Sequence, residues 1–154
     1  MLEQKIILHN KKAKFDYHIE RVMEAAVILL GPEVKSLREG KASFNDSFIY
    51  PKANEIFIHN FYIAPYKHMT SYKIDPLRVR KLLLHRQEIN KLIGLVKKSG
   101  TSIIPLKAYF NQRNIVKLEI ALVTGKKKHD KRQAIKEREW GRKKQSLFKQ
   151  NIKE

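Results

Sequence analysis

The side chains that can build a hydrophobic core become scarce after residue 124 of the 154. Between Gly125 and Ser146 the only aliphatic or aromatic residues are Ala134, Ile135 and Trp140. Because Ile135 and Trp140 lie about 140° apart on a helical wheel, they form no apolar stripe, and a segment without such a stripe cannot pack onto a core. We therefore divide the chain into a folded domain over residues 1–124 and a tail over residues 125–154.

The basic residues are also unevenly distributed. The chain has 33 Lys and Arg against 15 Asp and Glu, a formal net charge of +18, and the tail holds 12 of the basic residues with four of the acidic ones. Clustered Lys and Arg displace counterions from phosphates, so we expect a polyanionic partner, most commonly a nucleic acid. An isolated helix of this composition is marginal, so we expect the tail to be disordered when free and helical on its partner. A tail that only improves solubility is the alternative.

The sequence indicates neither a membrane span nor a signal peptide. No apolar run approaches the roughly 20 residues that span a bilayer. Residues 1–10 lack the apolar region and the small-residue cleavage site of a signal peptide, so we expect a cytoplasmic protein. The chain has no cysteine, which excludes disulfides, thiolate catalysis and Cys-containing zinc sites.

Alternation of apolar and polar residues predicts antiparallel strands in the folded domain. Apolar side chains occupy every second position from Val116 to Leu122, the period of a strand with one buried face. The run from Ile103 to Phe110 precedes it across the polar turn of residues 111–114, which predicts a hairpin. A second hairpin is predicted for Ser47 to Tyr50 and Glu55 to His59, joined through residues 51–54.

Three further segments complete the expected fold. Tyr17 to Leu30 suits a helix or a long bent strand, of which we favour the strand, and Pro32 to Arg38 is a short helix. Asp75 can cap a long helix with Pro76 in its first position, ending at Ser99-Gly100. Its apolar stripe would be Val79, Leu82, Ile89, Ile93 and Val96. Short antiparallel pairs with one long packed helix predict an α+β fold, mainly β: a small antiparallel β-barrel of oligonucleotide-binding type.

No constellation of catalytic or cofactor-binding residues stands out. The six histidines include no HExxH motif, and neither GxxxxGK[ST] nor GxGxxG occurs. Glu20 and Glu24 are four residues apart, but two carboxylates alone give weak support for a nuclease. We therefore expect no metal, no cofactor, no small-molecule substrate and no enzymatic activity.

Four stretches in chain order carry a resemblance to one family. They are Asn-Lys-Lys-Ala at residues 10–13, Glu-Val-Lys-Ser-Leu-Arg-Glu-Gly-Lys-Ala at 33–42, Asp75-Pro76 leading to Arg-Lys-Leu-Leu-Leu at 80–84, and Gly-Lys-Lys-Lys-His-Asp-Lys-Arg from 125 followed by Ile-Lys-Glu-Arg-Glu-Trp at 135–140. Together they resemble the SsrA-binding protein family, also called small protein B, the bacterial partner of transfer-messenger RNA. One departure is Ala26, where the family usually has a glycine that permits a bulge.

The resemblance implies a non-enzymatic RNA adaptor with two RNA contacts. The barrel would bind the tRNA-like domain of transfer-messenger RNA and deliver it to the A site of stalled ribosomes for trans-translation. The tail would enter the decoding centre and mRNA channel of the small ribosomal subunit and fold there into a helix against ribosomal RNA. A structural ribosomal protein that binds ribosomal RNA is the alternative function.

The resemblance also implies which residues of the folded domain bind transfer-messenger RNA. Asn10, Glu24, Leu83 and Lys117 match the family's positions, and Lys117 is also predicted by alternation to point away from the core. The alternatives to RNA binding are a role in a turn for Asn10, an ion pair for Glu24 and packing for Leu83. Arg78, Arg80 and Lys81 are expected to contact phosphates that position the RNA. Lys11 and Lys12, next to Asn10, are also expected to bind transfer-messenger RNA.

The same resemblance assigns the tail to the ribosome. His129 is expected to stack on or bond a decoding-centre nucleotide, and Trp140 to stack on a ribosomal base for ~1–3 kcal/mol. Leu147, seven residues beyond Trp140, would extend that contact face. The complete predicted set is Lys126, Lys127, Lys128, His129, Asp130, Lys131, Arg132, Ile135, Lys136, Arg138 and Trp140.

Overall fold

The computed structural model describes residues 4–69, 71, 73–98, 100–125 and 128–151. These residues form nine strands and four helices, an α+β fold that is mostly β. In chain order they are β1 (Lys5–His9), α1 (Ala13–Asp16), β2 (Tyr17–Val27), α2 (Gly31–Arg38), β3 (Ala42–Ser43), β4 (Phe48–Lys52), β5 (Glu55–His59), β6 (Tyr62–Ile63), β7 (Arg80–Leu83), α3 (Arg86–Val96), β8 (Thr101–Phe110), β9 (Val116–Gly125) and α4 (Lys128–Asn151).

Seven strands form one antiparallel sheet in the order β1-β8-β4-β5-β7-β2-β9, and β8 also pairs with β9. The pairings therefore lead from β8 through β4, β5, β7, β2 and β9 back to β8. Strands β3 and β6 form a separate two-stranded pair.

Both predicted hairpins are confirmed. β8 and β9 pair across a turn in which Asn111 Oδ1 accepts from the backbone N–H groups of Arg113 (3.0 Å) and Ile115 (2.9 Å). β5 has its predicted bounds, but β4 continues beyond Tyr50 to Lys52, so that only Ala53 and Asn54 remain in the turn, with φ of 51° and 59°. Two positive φ values in a two-residue loop match the right-handed twist of the strands.

Tyr17 to Val27 is a strand, β2, as we favoured, and it pairs along most of its length with β9. Its register shifts between Ile19 and Arg21. Ala26, where the family glycine would permit a bulge, lies in regular register with Lys117 and Leu83, and its φ is not positive. The alanine therefore imposes no backbone cost at this position.

The long helix predicted from Asp75 is wrong. Asp75 Oδ1 accepts from the N–H of Leu77 (2.9 Å) in a turn, residues 80–83 form β7 between β5 and β2, and the helix α3 begins only at Arg86. Leu82 fits the predicted helical stripe, but in the structure it is a buried strand residue whose register partner on the neighbouring strand β5 is Ile56. Strand pairing with a distant segment therefore overrode the local helical pattern.

The main core lies between the inner face of the sheet and α3, which buries Ile89 and Leu92. A smaller cluster lies under α1 on the other face of the β8–β9 hairpin, and it consists of Ala13, Ile104, Ala121 and Val123. Because these two clusters cover both faces, β9 is buried continuously from Ile120 to Val123.

Residues 128–151 form one helix, α4, where we expect disorder in the free chain. All of its described side chains are exposed, and Trp140 is 62% exposed. α4 meets the folded domain at α1, where the guanidinium carbon of Arg138 lies 5.1 Å from the ring centroid of Phe15. The helix thus has no described core contact to hold it, and its disorder in solution stays a prediction. Within the described residues no helix is both long and apolar enough to cross a bilayer.

Candidate nucleic-acid interface

A groove opens where β2 separates from β7. These two strands pair only through Ala26 and Val27, and the beginning of α3 lies beside the gap. The groove has a volume of about 550 Å³, and its lining includes Met23, Glu24, Leu83, His85, Glu88 and Lys117. We call it the β2–α3 groove. It brings together Glu24, Leu83 and Lys117, which the sequence places on three separate segments.

Strand periodicity explains why these side chains reach the groove. Lys117 stands between the buried residues Val116 and Leu118 on β9, so the prediction that it points away from the core is confirmed. Leu83 follows the buried Leu82 on β7 and is 49% exposed. An exposed leucine in a groove is available to an apolar ligand surface, such as the face of a base.

Glu24 is held by one side chain from the adjacent strand β9 and one from β8, the next strand beyond it. Its Oε1 lies 3.8 Å from Lys117 Nζ, and its Oε2 accepts a hydrogen bond from the hydroxyl of Tyr109. Its register partner on β9 is Glu119, which pairs with Lys107 at 3.1 Å. The groove therefore contains a carboxylate that one lysine and one tyrosine hold in place.

Tyr109 is a site residue that sequence reasoning missed. It is buried on β8 directly opposite Lys117, and the register of the predicted hairpin is the signal that could have found it. Burial raises the pKa of the Tyr109 hydroxyl, and the hydrogen bond to Glu24 raises it further. The hydroxyl therefore keeps its proton at neutral pH and remains a donor to Glu24.

Replacing Tyr109 with Phe is expected to lower the free energy of unfolding by about 1 kcal/mol, because it removes one hydrogen bond to a charged acceptor that water can partly replace. Urea denaturation measures the change. Tyr50→Phe is the matched control, since Tyr50 is exposed, and it is expected to stay within about 0.5 kcal/mol of the unmodified protein. Equal losses in the two variants would contradict the assigned hydrogen bond.

The phosphate contact predicted for Arg80 is wrong. Its side chain is 0% exposed, its Nε donates to Glu33 Oε2 (2.6 Å), and its Nη1 donates to the carbonyl of Phe61 (2.5 Å). Arg78 donates to the other oxygen of Glu33 at 2.5 Å and is partly buried. Lys81 is at the surface and pairs with Glu55. Arg78 and Arg80 therefore join this segment to α2, whereas Lys81 joins it to β5.

The predicted residues Asn10, Lys11 and Lys12 line a different groove. It lies around the start of α1 and the loop before β4, with a volume of about 560 Å³, and none of its lining residues belongs to the β2–α3 groove. Asn10 donates from its backbone to the carbonyl of Leu106 (2.7 Å) and from its side chain to that of Pro105 (2.9 Å). It therefore ties the end of β1 to β8, while Lys11 and Lys12 are exposed.

The predicted tail residues from Lys128 onward lie on α4. Lys126 and Lys127 lie outside the described residues, and so do the side chains of Lys128, His129, Asp130 and Lys131. The side chains of the other predicted residues are exposed on the helix: Arg132, Ile135, Lys136, Arg138 and Trp140. Leu147 and Phe148 are exposed seven and eight positions beyond Trp140, so they share its side of the helix. Phe148 was not among the predicted residues.

The described structure offers little to a catalytic metal. Among the described residues, no group of three or more His, Asp or Glu could hold a metal ion. Glu20 is exposed at the bulge of β2, and Glu24 is engaged with Tyr109 and Lys117. The nuclease hypothesis therefore gains no support from the geometry.

Comparison with known proteins places this arrangement in one family. The family model described as SmpB protein matches residues 7–150. SsrA-binding proteins from Wolbachia sp. subsp. Brugia malayi (strain TRS) and Geobacillus thermodenitrificans (strain NG80-2) are 50% and 46% identical, covering 96% and 98% of this chain and 99% and 97% of their own. The one from Orientia tsutsugamushi (strain Ikeda) is 52% identical over 88% of this chain and 89% of its own.

A solved structure described as "tmRNA-SmpB: a journey to the center of the bacterial ribosome" is also similar. It is 41% identical, has a TM-score of 0.68, and the match covers 84% of this chain and 94% of that chain. Sequence and fold agree over most of the length of each protein. The chain belongs to the SmpB protein family.

Proposed function

We propose that this chain binds the tRNA-like domain of transfer-messenger RNA and delivers it to the A site of stalled ribosomes for trans-translation. The observation that carries the proposal is the β2–α3 groove, which gathers Glu24, Leu83 and Lys117 at the surface of the folded domain. The SsrA-binding relatives support the choice of RNA, and the net charge of +18 suits a polyanion.

Each groove residue offers RNA a different kind of contact. Lys117 can bind a phosphate, Leu83 can pack against an unstacked base, and Glu24 can accept from a base amino group or a ribose 2′-hydroxyl. The Lys117–Glu24 pair is worth at most about 1 kcal/mol because both side chains are partly exposed, so a phosphate can draw Lys117 away. Tyr109 keeps the Glu24 carboxylate in place when this happens.

We propose further that the folded domain is a small antiparallel barrel of oligonucleotide-binding type. The ring of pairings that leaves β8 and returns to it supports this assignment. A closed sheet leaves no free strand edge around its circumference and presents one outer face to a ligand. The gap between β2 and β7, which forms the groove, interrupts that ring on one side.

We also propose that the tail, residues 125–154, is a separate contact with the ribosome, disordered when free and helical in the decoding centre and mRNA channel. Support comes from the full exposure of its described side chains and from the apolar residues Trp140, Leu147 and Phe148 on one side of α4. In this function the protein is an adaptor and not an enzyme, and it acts in the cytoplasm, where the ribosomes are.

Sequencing the RNA that copurifies with the protein tests this function. The expected result is one predominant species, transfer-messenger RNA, which remains bound to the protein after a high-salt wash releases both from ribosomes. The alternative, a structural ribosomal protein, predicts the opposite: the protein stays on ribosomal particles through the wash and carries ribosomal RNA. Copurification of bulk RNA without enrichment would contradict the proposal.

Replacing Lys117 with Gln is expected to weaken binding of the tRNA-like domain about tenfold, because one charged hydrogen bond to RNA is lost. The slope of log affinity against log salt is expected to fall by about 0.7–0.9, the contribution of one phosphate. Filter binding over a salt series measures both. Lys97→Gln is the matched control, since Lys97 is an exposed cation at the end of α3 and lines neither groove. If Lys97→Gln weakens RNA binding as much as Lys117→Gln does, the loss reflects overall charge, and the proposed phosphate contact of Lys117 is contradicted.

A further inference from the structure

The β2–α3 groove continues beyond the residues that the family resemblance points to. A second depression of about 250 Å³ is lined by Arg21, Val22, Met23, Glu88 and Lys91. It shares Val22, Met23 and Glu88 with the first groove. The two depressions therefore form one channel, which runs from Lys117 at one end to Arg21 and Lys91 at the other.

The far end of this channel has an excess of positive charge. Arg21 on β2 and Lys91 on α3 are both exposed, and neither forms an ion pair with another described residue. The carboxylate in the lining is Glu88, whose Oε2 accepts from the backbone N–H of His85 (3.1 Å) at the start of α3. Two unpaired cations thus flank the channel on opposite walls, and the one carboxylate between them is engaged with its own helix.

The bulge in β2 explains how Arg21 reaches the channel. Ile19, before the register shift, packs on the cluster under α1, whereas Met23, after it, packs on the main core beside α3. Arg21 is two residues before Met23, so strand alternation puts both side chains on the side of β2 that α3 covers.

In the described structure, the edge of β2 away from β9 has strand partners only at Ala26 and Val27, so the edge from Arg21 to Glu24 remains open to a ligand.

We propose that bound RNA extends along this open edge of β2 and that Arg21 and Lys91 each hold one of its backbone phosphates. The inference rests on the proposed function, because it prolongs the same RNA site. A phosphate chain fits the observations since it needs cations at intervals along a channel and places no demand on base sequence. The cations would position the RNA so that Glu24 and Leu83 meet their own partners.

The double variant Arg21→Gln with Lys91→Gln tests the proposal in the full-length protein, with a transcript of the tRNA-like domain as the probe. The salt slope is expected to fall by about 1.4–1.8, the contribution of two phosphates, and the affinity by at least tenfold. The matched control is Lys97→Gln with Lys98→Gln, which removes the same charge from the end of α3, outside the channel. Equal losses in the two variants would overturn the proposal, as would an unchanged slope in the test variant.

A thermal melt of each variant separates RNA binding from a structural role. If Arg21 and Lys91 only tie β2 to α3 through Glu88, the test variant melts at a lower temperature and keeps its salt slope, which also overturns the proposal. Lys117→Gln serves as the reference for the proposed function. If Lys117→Gln weakens RNA binding and the double variant does not, the proposal for Arg21 and Lys91 is wrong but the proposed function stands. If the unmodified protein shows no preference for the tRNA-like domain, both the proposed function and the proposal for Arg21 and Lys91 are wrong.

The absence of cysteine allows a direct test of position. Lys91→Cys, carrying a tethered source of hydroxyl radicals at its single thiol, is expected to cleave bound RNA within one short stretch of the tRNA-like domain. Lys97→Cys is the matched control, expected to give weak cleavage without a defined position. Uniform or absent cleavage from residue 91 would contradict a phosphate beside it.

Discussion

Deleting residues 125–154 is expected to abolish peptide tagging on stalled ribosomes and to leave binding of the tRNA-like domain nearly intact. The groove residues all lie in the folded domain, whereas the described side chains of α4 are exposed and contribute none to either hydrophobic cluster. If the groove and the tail make separate RNA contacts, removing the tail removes only the contact with the ribosome. Filter binding measures the first, and translation of a message without a stop codon in a reconstituted system measures the second.

The controls for this truncation follow from the same geometry. The melting temperature of the truncated protein is expected to match that of the full chain, because no core side chain is removed. Amide hydrogens of residues 128–151 are expected to exchange fast in the free protein and slowly on the ribosome, since the helix has no described core contact of its own. Loss of affinity for the tRNA-like domain in the truncated protein, or tagging that survives the truncation, would refute this division between domain and tail.

Replacing Arg80 with Ala is expected to lower the free energy of unfolding by about 3–5 kcal/mol, because it removes the fully buried partner of the buried Glu33 carboxylate and leaves only the partly exposed Arg78 paired with it. Lys81→Ala on the same strand is the matched control. Lys81 pairs with Glu55 at the surface, so its loss is expected to cost about 0–1 kcal/mol. Urea denaturation of both variants gives the comparison, and similar losses would contradict a structural role for the Arg80–Glu33 pair.

The pKa of Glu33 adds a pH dependence to this prediction. Burial alone would raise the pKa, but hydrogen bonds from Arg78, the backbone of Leu30 and Arg80, with the charge of Arg80, lower it below the ordinary value of 4.5. A carboxyl whose pKa is lower in the folded state stabilises the protein above its unfolded pKa, and this stability is lost as the pH falls through the folded pKa. Unfolding by acid below about pH 4.5 is therefore expected to depend less on pH in the Arg80→Ala variant.

A second variant keeps the test informative if Arg80→Ala fails to fold. Changing Glu33 to Gln and Arg80 to Met together is expected to cost less than Arg80→Ala, because the two most deeply buried charges of the cluster are then removed together. A larger loss in the double variant than in the single one would contradict this assignment of the energy to the broken charge pair.

The hairpins were predictable because their signal is local. The apolar residues at every second position from Val116 to Leu122, with polar turns between runs, are recognisable without knowledge of the partner strand, and the orientation of Lys117 follows from the same alternation. The segment from Asp75 to Leu84 was mispredicted because its apolar spacing also fits a helix. Pairing with β5 and β2 decided its conformation, and those strands are distant in sequence.

The site was predictable only in part, for a related reason. Glu24, Leu83 and Lys117 were identified through a resemblance, but their meeting in one groove depends on the gap between β2 and β7. Tyr109 was missed because its bond to Glu24 crosses from β8 to β2, and no local pattern records such a contact. Arg80 was misassigned since an arginine in a basic chain is usually exposed, whereas here Glu33 and the carbonyl of Phe61 satisfy its donors in the interior.

The sequence alone determines where the core ends, which segments alternate as strands, and that the surface is strongly cationic. Each of these features depends only on the type and spacing of side chains. The tertiary structure alone decides that residues 80–83 join a sheet, that Arg80 is buried on Glu33, and that β2 and α3 border one channel. These features arise from hydrogen bonds and charge pairs between distant segments. Their free energies depend on which surfaces meet, and that is settled only when the whole chain has folded.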